Sequence, residues 1–320
     1  APPHGSMLPM SPVRKNILMV ACALGLLIPV VIIFICENMN TRVRGRKDLE
    51  SVTVPFIGEI PLFTRKKKGI FRKKPQEVRA IVVKEGSRDI INEAFRVLRT
   101  NLEFMTGKDK ASNVIIVTSF NPGSGKSFLT MNIAVSFAIK GKKVLVIDGD
   151  LRHGSASSYI DSPTKGLSDY LGGRIDNLNE IIVTNPKQKY LDILPVGTIP
   201  PNPTELLFDD RLKQVIDTVR EQYEYVLIDC PPIELVADTQ IIEKLADRTI
   251  FVVRAGLLEL SMLAELEKIY GEKKYKNMSL ILNGTEGSGG RYGYRYGYRY
   301  GYHYGYGSEY HYGSDEKYIE

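Results

Sequence analysis

The segment that most constrains the fold is VIIVTSFNPGSGKS, Val114 to Ser127, followed at once by the helical pattern FLTMNIAVSFAIK. A continuous apolar, β-branched run followed by a glycine-containing turn and a long helical pattern predicts a buried strand passing into a helix through a tight loop. Such a loop leaves unpaired backbone N–H groups converging at the start of the helix, where the helix dipole also favours negative charge. Gly123 and Gly125 let that backbone close around phosphate oxygens, with Pro122, Ser124 and Phe128 completing the turn. Lys126 is placed to reach the β- and γ-phosphates and Ser127 to offer a hydroxyl to Mg²⁺. The standard GxxxxGK[ST] pattern asks for glycine at position 120, where Phe120 stands, so the strand–loop–helix context carries the reading.

From about residue 78 to residue 284, apolar strand-like runs alternate with helical patterns, which argues for an α/β fold: a mostly parallel sheet flanked by helices. The expected strands are Val114 to Thr118, Lys143 to Ile147, Leu191 to Leu194, Tyr225 to Ile228, Arg248 to Val253 and Met278 to Leu282. VLVIDGDLR ends a strand in Asp148 and Asp150, and YVLIDCPP ends another in Asp229. Strand ends on the carboxyl edge of an open α/β sheet are where ligands bind. Two carboxylates one residue apart can divide the tasks of accepting a hydroxyl proton and holding metal-bound water, and Asp229 is the carboxylate expected to steady Mg²⁺. Each aspartate alone also reads as a cap or turn residue. Cys230 reads as a small buried residue, and the three cysteines contain no CxxC pair for a disulfide framework or zinc site.

Residues 17–36, ILMVACALGLLIPVVIIFIC, carry no charge and as a helix span about 30 Å, the thickness of a bilayer's hydrocarbon core. A membrane helix tolerates Pro29. Two cations precede the span, whereas Arg42, Arg44, Arg46 and Lys47 and then the basic run from Arg65 to Lys74 follow it, placing the C-terminal side in the cytoplasm. That run suits anionic lipid head groups or a solvated linker equally, and nucleic acid is not an expected partner. The net charge of +6 is modest; its asymmetry is what informs. Ala1 to Met7, APPHGSM, reads as an expression scar. The expected organisation is then a proline-rich segment over 8–16, the membrane helix over 17–36, a basic juxtamembrane linker over 37–77, the P-loop domain over 78–284 and a tail over 285–320.

The tail is RYGYRYGYRYGYHYGYGSEYHYGSDEKYIE, holding Tyr292, Tyr294, Tyr296, Tyr298, Tyr300, Tyr302, Tyr304, Tyr306, Tyr310, Tyr312 and Tyr318, eleven of the chain's eighteen tyrosines. With almost no aliphatic residues it lacks the apolar surface to offset its ordering entropy, so it is expected to be disordered. It reads either as a set of phosphate acceptors or as a sticky aromatic–arginine segment. In INEAFRVLRTNL, Glu93, Arg96 and Arg99 fall within about 120° on a helical surface, forming either a solvated charged stripe or a contact between subunits.

Together NPGSGKS, VLVIDGDLR and YVLIDCPP resemble the Walker A, A′ and B set of the bacterial tyrosine kinases, the Wzc/CapB-like autokinases of capsule and exopolysaccharide export. GLSDYL, LPVGTIPPNPTELL and the pre-membrane PMSPVRK extend the resemblance from about Pro9 to the end. It implies a P-loop NTPase-like fold with ATP and Mg²⁺ as cofactors, Lys126, Asp148 and Asp150 as catalytic residues, and Ser127, Asp150 and Asp229 around the metal. In that family the aspartate matching Asp148 is implicated in activating the acceptor tyrosine. Asn283, in SLILNG, resembles an adenine-contacting asparagine or is simply a strand-end turn residue. The E-x-x-R-x-x-R spacing of Glu93, Arg96 and Arg99 matches an element associated with homo-oligomeric rings. The resemblance further implies the bacterial inner membrane as location, partners in polysaccharide export, a cognate tyrosine phosphatase and a preceding periplasmic domain. The rival expectations are a MinD/ParA-like ATPase switch and a structural co-polymerase that uses nucleotide only for assembly.

Overall fold

The computed structural model describes residues 14–38, 41–63, 80–106, 113–233 and 237–286. The first helix, α1 (Arg14–Asn38), contains Pro29, and its stretch Lys15–Phe34 is long and apolar enough to cross a membrane. The sheet is built from β1 (Phe56–Pro61), β2 (Asn113–Thr118), β3 (Val144–Asp148), β4 (Val183–Thr184), β5 (Leu191–Leu194), β6 (Tyr225–Asp229), β7 (Arg248–Arg254) and β8 (Met278–Thr285). Their order across the sheet is β1-β8-β7-β2-β6-β3-β5-β4, and every neighbouring pair is parallel except β4 with β5. The remaining helices are α2 (Ile90–Thr106), α3 (Lys126–Ile139), α4 (Leu167–Leu171), α5 (Pro203–Leu207), α6 (Asp210–Gln222), α7 (Asp238–Glu243) and α8 (Met262–Gly271).

Strand alternation sorts the core into two layers, because successive side chains leave a strand on opposite faces. Val114 and Ile116 join a cluster with Leu212, Ile216, Ile241 and Leu266, whereas Ile115 and Val117 join Phe95, Leu98, Leu129 and Phe137. Burial on both faces explains why the interiors of β2, β3 and β6 are continuous apolar runs rather than alternating, with polar residues only at their ends.

All six expected strands form. The other two, β1 and β4, are additions, and β1 corrects the linker expectation for residues 41–63. Val43, Leu49 and Val54 are buried, Val43 N–H donates to the Leu258 carbonyl at 2.9 Å, and β1 pairs with β8. The basic run and the tyrosines from Tyr292 to Tyr318 lie outside the described residues.

Candidate functional site

The cradle begins where β2 ends. Gly123 and Gly125 take φ of +75° and +87°, the left-handed region where glycine is favoured. Space also demands glycine at position 125, because a Cβ there would stand 2.2 Å from Nδ2 of Asn283. That amide donates to the Ser124 carbonyl at 2.8 Å, while Ser124 Oγ donates to the Asn121 carbonyl at 2.7 Å. The loop is thus held from β8 and from within itself. Lys126 is buried, with Nζ donating to Ser119 Oγ at 3.3 Å, and Ser127 follows it in the first turn of α3. Phe128 turns away and meets Phe95 of α2 edge-on at 6.0 Å, so its side chain anchors the helix; Pro122 is exposed at the turn.

Because β3 and β6 are neighbours in register, Asp148 and Asp229 end side by side, fully buried. Gly149 permits the approach: its N–H donates to the Asp229 carbonyl at 2.9 Å, and a Cβ there would lie 2.9 Å from Ile228 Cγ2. Asp148 Oδ2 accepts from the backbone and hydroxyl of Ser157 at 2.6 and 2.7 Å, but its Oδ1 has no partner. Neither carboxylate oxygen of Asp229 has a partner of good hydrogen-bond geometry. Burial, then the charge of Asp229, raises the pKa of Asp148 against the Ser157 hydrogen bonds. Burial likewise raises that of Asp229, although the nearby Ser127 hydroxyl and Lys126 ammonium pull it down. Asp150 is the more open of the three, its side chain 10% exposed, and Oδ1 accepts from the Arg152 and His153 N–H groups, both at 3.2 Å.

Buried acceptor oxygens without donors are costly unless a cation or donor meets them. Three such oxygens beside a lysine and a phosphate cradle fit a divalent cation whose remaining ligands come from phosphate oxygens and water. Among the described residues no three His, Cys, Asp or Glu side chains form a metal cage of their own. Cys230 is buried, and burial lifts its thiol pKa far from the reactive range, supporting the small-core-residue reading.

The charged stripe on α2 is not what its spacing suggests. Glu93 and Arg96 pair with each other near the surface, but Arg99 turns inward and donates Nη1 to the Ser136 carbonyl of α3 at 2.7 Å. Arg99 is corrected to an intramolecular tie, because it lies one turn after buried Phe95 and beside buried Leu98. A network that the sequence reading missed fixes the site from behind. Buried Asp238 accepts from Arg152 Nε at 3.0 Å and from Thr204 Oγ1 at 2.6 Å, tying α5 and α7 to the Asp150 loop. Its members are more than 30 residues apart in sequence, so no local pattern marks them.

A family model described as an AAA domain matches residues 112–280. The chain is 35% identical over 209 residues to the tyrosine-protein kinase YwqD of Bacillus subtilis, covering 65% of this chain and 87% of YwqD. It belongs to the bacterial tyrosine-kinase family. The kinase domain of the Escherichia coli tyrosine kinase Etk superposes with a TM-score of 0.66 at 29% identity, covering 82% of this chain and all of that one. EpsB of Ralstonia nicotianae is 32% identical over 301 residues, 89% of this chain, but this chain spans only 38% of EpsB's length. Family membership and the P-loop fold together imply nucleotide binding.

Proposed function

We propose that the chain is the kinase part of a membrane-anchored protein-tyrosine autokinase that moves the γ-phosphoryl of ATP to tail tyrosines of a neighbouring copy. The observation that carries this reading is the pair Asp148–Asp229, side by side with orphaned oxygens at the mouth of a rigid phosphate cradle. The cradle N–H groups and Lys126 bind the phosphates and orient the γ-phosphoryl. Ser127, Asp150 and Asp229 are the residues that would hold Mg²⁺, which supplies charge neutralisation. A bond forms between the phenol oxygen and the γ-phosphorus, the bond from that phosphorus to the β,γ-bridging oxygen breaks, and the phenol proton passes to Asp148. Burial makes Asp148 a better proton acceptor than an ordinary carboxylate, and its Oδ1 is free of donors. Catalysis then rests on positioning and electrostatics rather than a covalent enzyme intermediate.

The names of YwqD and Etk support the kinase activity, the exposed apolar helix α1 supports a membrane anchor, and the cations that follow it in the sequence support a kinase on the cytoplasmic side of the inner membrane. Glu93 and Arg96 remain candidates for a ring contact, Asn283 for contact with adenine, and Tyr292 to Tyr318 for acceptors. Phosphorylation adds about −1.5 to −2 charges per tyrosine, enough to oppose docking between copies. A ring that cycles with a phosphatase and acts on polysaccharide export, in contact with lipid, completes the reading.

The test is to incubate the full chain in a bilayer with MgATP and map phosphotyrosine by mass spectrometry. Phosphate on the tail of a Lys126→Met chain, when mixed with a catalytically intact chain lacking 287–320, is the expected result. Hydrolysis without phosphotyrosine would favour a MinD/ParA-like switch; assembly and export unaffected by Lys126→Met would favour a structural co-polymerase.

A further inference from the structure

After the Asp150 loop the chain runs through GSASSYI, and one serine of that segment turns both of its donors to a single carboxylate oxygen. Ser157 is buried and opens the 3₁₀ turn Ser157–Ile160. Its N–H and its Oγ donate to Asp148 Oδ2 at 2.6 and 2.7 Å. The hydroxyl is itself held in direction, because Oγ accepts the Val196 N–H at 2.8 Å. A hydroxyl carries one proton; with a lone pair turned to Val196, that proton points at Asp148.

The far end of this chain of hydrogen bonds is fixed as well. The Val196 carbonyl accepts from the Ser168 N–H of α4 at 2.9 Å, and the Pro195 carbonyl accepts from the Leu167 N–H at 2.8 Å. Gly166, just before α4, meets this loop so closely that a Cβ there would stand 2.3 Å from the Pro195 carbonyl oxygen. Hence α4 anchors Val196, Val196 orients Ser157, and Ser157 orients Asp148. The consequence lies in which oxygen is left over. The Asp148 carboxylate cannot turn without giving up two buried hydrogen bonds on Oδ2, whereas Oδ1 has no partner. Asp229 has no such hold on either oxygen, so the restraint is particular to Asp148.

We propose that Ser157 is a positioning residue for phosphotransfer: it occupies Oδ2 of Asp148 so that Oδ1 is the oxygen that takes the phenol proton. That proton moves as the phenol oxygen bonds to the γ-phosphorus and the β,γ-bridging oxygen leaves with the electron pair of the broken bond. Ser157 acts through Asp148 rather than on the reacting atoms. The inference rests on the kinase reading above and adds to it the residue that sets the direction of the proton acceptor.

The test compares the full chain reconstituted in a bilayer as wild type, Ser157→Ala and Ser157→Thr, measuring the initial rate of phosphotyrosine formation against MgATP concentration. Ser157→Ala should lower kcat about tenfold, a loss of about 1.4 kcal/mol at the transition state, while KM for MgATP stays within about twofold of wild type. Ser157→Thr keeps the hydroxyl and should recover most of kcat. Circular dichroism and ADP binding report whether each variant is folded; if the alanine chain is not, Ser157→Cys, which weakens the donor at similar size, carries the same comparison. An unchanged kcat in the folded alanine chain, a loss expressed in KM instead, or an equal loss in folded Ser157→Thr overturns the proposal and leaves Ser157 a loop tie alone. A wild-type chain that binds ADP but forms no phosphotyrosine overturns the kinase reading itself, and this inference with it.

Discussion

Two sets of buried aspartates, one on the helices α4 and α7 and one at the ends of the strands β3 and β6, are treated in opposite ways. Asp169 and Asp238 have donors on both oxygens: Asp169 accepts from the Gly166 and Thr198 N–H groups and from Arg174, and Asp238 from Arg152 and Thr204. Asp148 and Asp229, equally deep, keep three oxygens without a donor of good hydrogen-bond geometry, and burial first, then neighbouring carboxylate charge, raises the proton affinity of both. The first set spends its charge on holding loops together. The second holds charge in reserve at the end of two strands, a cost to the empty fold that is recovered only when a cation or proton arrives.

The largest expected effect of breaking this contrast is on the partnered side. Asp238→Ala removes the buried carboxylate that accepts from both Arg152 and Thr204 and should destabilise the fold by roughly 3–5 kcal/mol in chemical denaturation, the loss of two hydrogen bonds to a charged group. On the other side, Asp229→Asn should lower phosphotransfer by about 10²–10³-fold, the usual cost of a lost electrostatic stabiliser. It should leave nucleotide-free stability unchanged or higher, because it removes like charge from the interior. Asp169→Asn should cost about 1–3 kcal/mol with no change in phosphotransfer beyond that due to unfolding.

The pH dependences have opposite signs. Burial alone raises the pKa of Asp169, but hydrogen bonds from Thr198 and Gly166 and the partner Arg174 outweigh it and hold the value below normal. Its stabilisation is therefore present above about pH 4 and lost as pH falls further. Asp148 and Asp229 are raised, so the unfolded chain ionises first and the empty fold loses stability as pH climbs from about 4 toward neutrality. Thermal melts of Asp229→Asn across that range should show a flatter decline than wild type. The smallest expected effect is at the surface, where Glu93→Gln breaks an exposed pair with Arg96 and should move monomer stability by less than about 1 kcal/mol. A larger change confined to the assembled state, read by analytical ultracentrifugation, would place that pair at a subunit contact.

What the sequence disclosed follows from range. The cradle and the strand-ending aspartates are local patterns, so the places of Gly125, Lys126, Asp148 and Asp229 are legible in the sequence. The edge strand β1 was not, because Pro55, Gly58 and Pro61 disguise it and only pairing with β8, more than 200 residues away, makes it a strand. Gly58 belongs there for space, since a Cβ would come within 3.2 Å of Leu98. Arg99 misled because its charge suggested a surface, whereas its place on the apolar face of α2 beside Leu98 was the stronger signal. The Arg152–Thr204–Asp238 network joins three separate elements and has no local signature at all.

The central claim, that the unpartnered carboxylates await a magnesium nucleotide, is tested most directly by calorimetric titration of a non-hydrolysable ATP analogue with and without Mg²⁺. Wild type should bind at least about tenfold more tightly with Mg²⁺ present, a gain of about 1.4 kcal/mol, and folded Asp229→Asn should lose most of that gain. Equal dependence on Mg²⁺ in both proteins would contradict it.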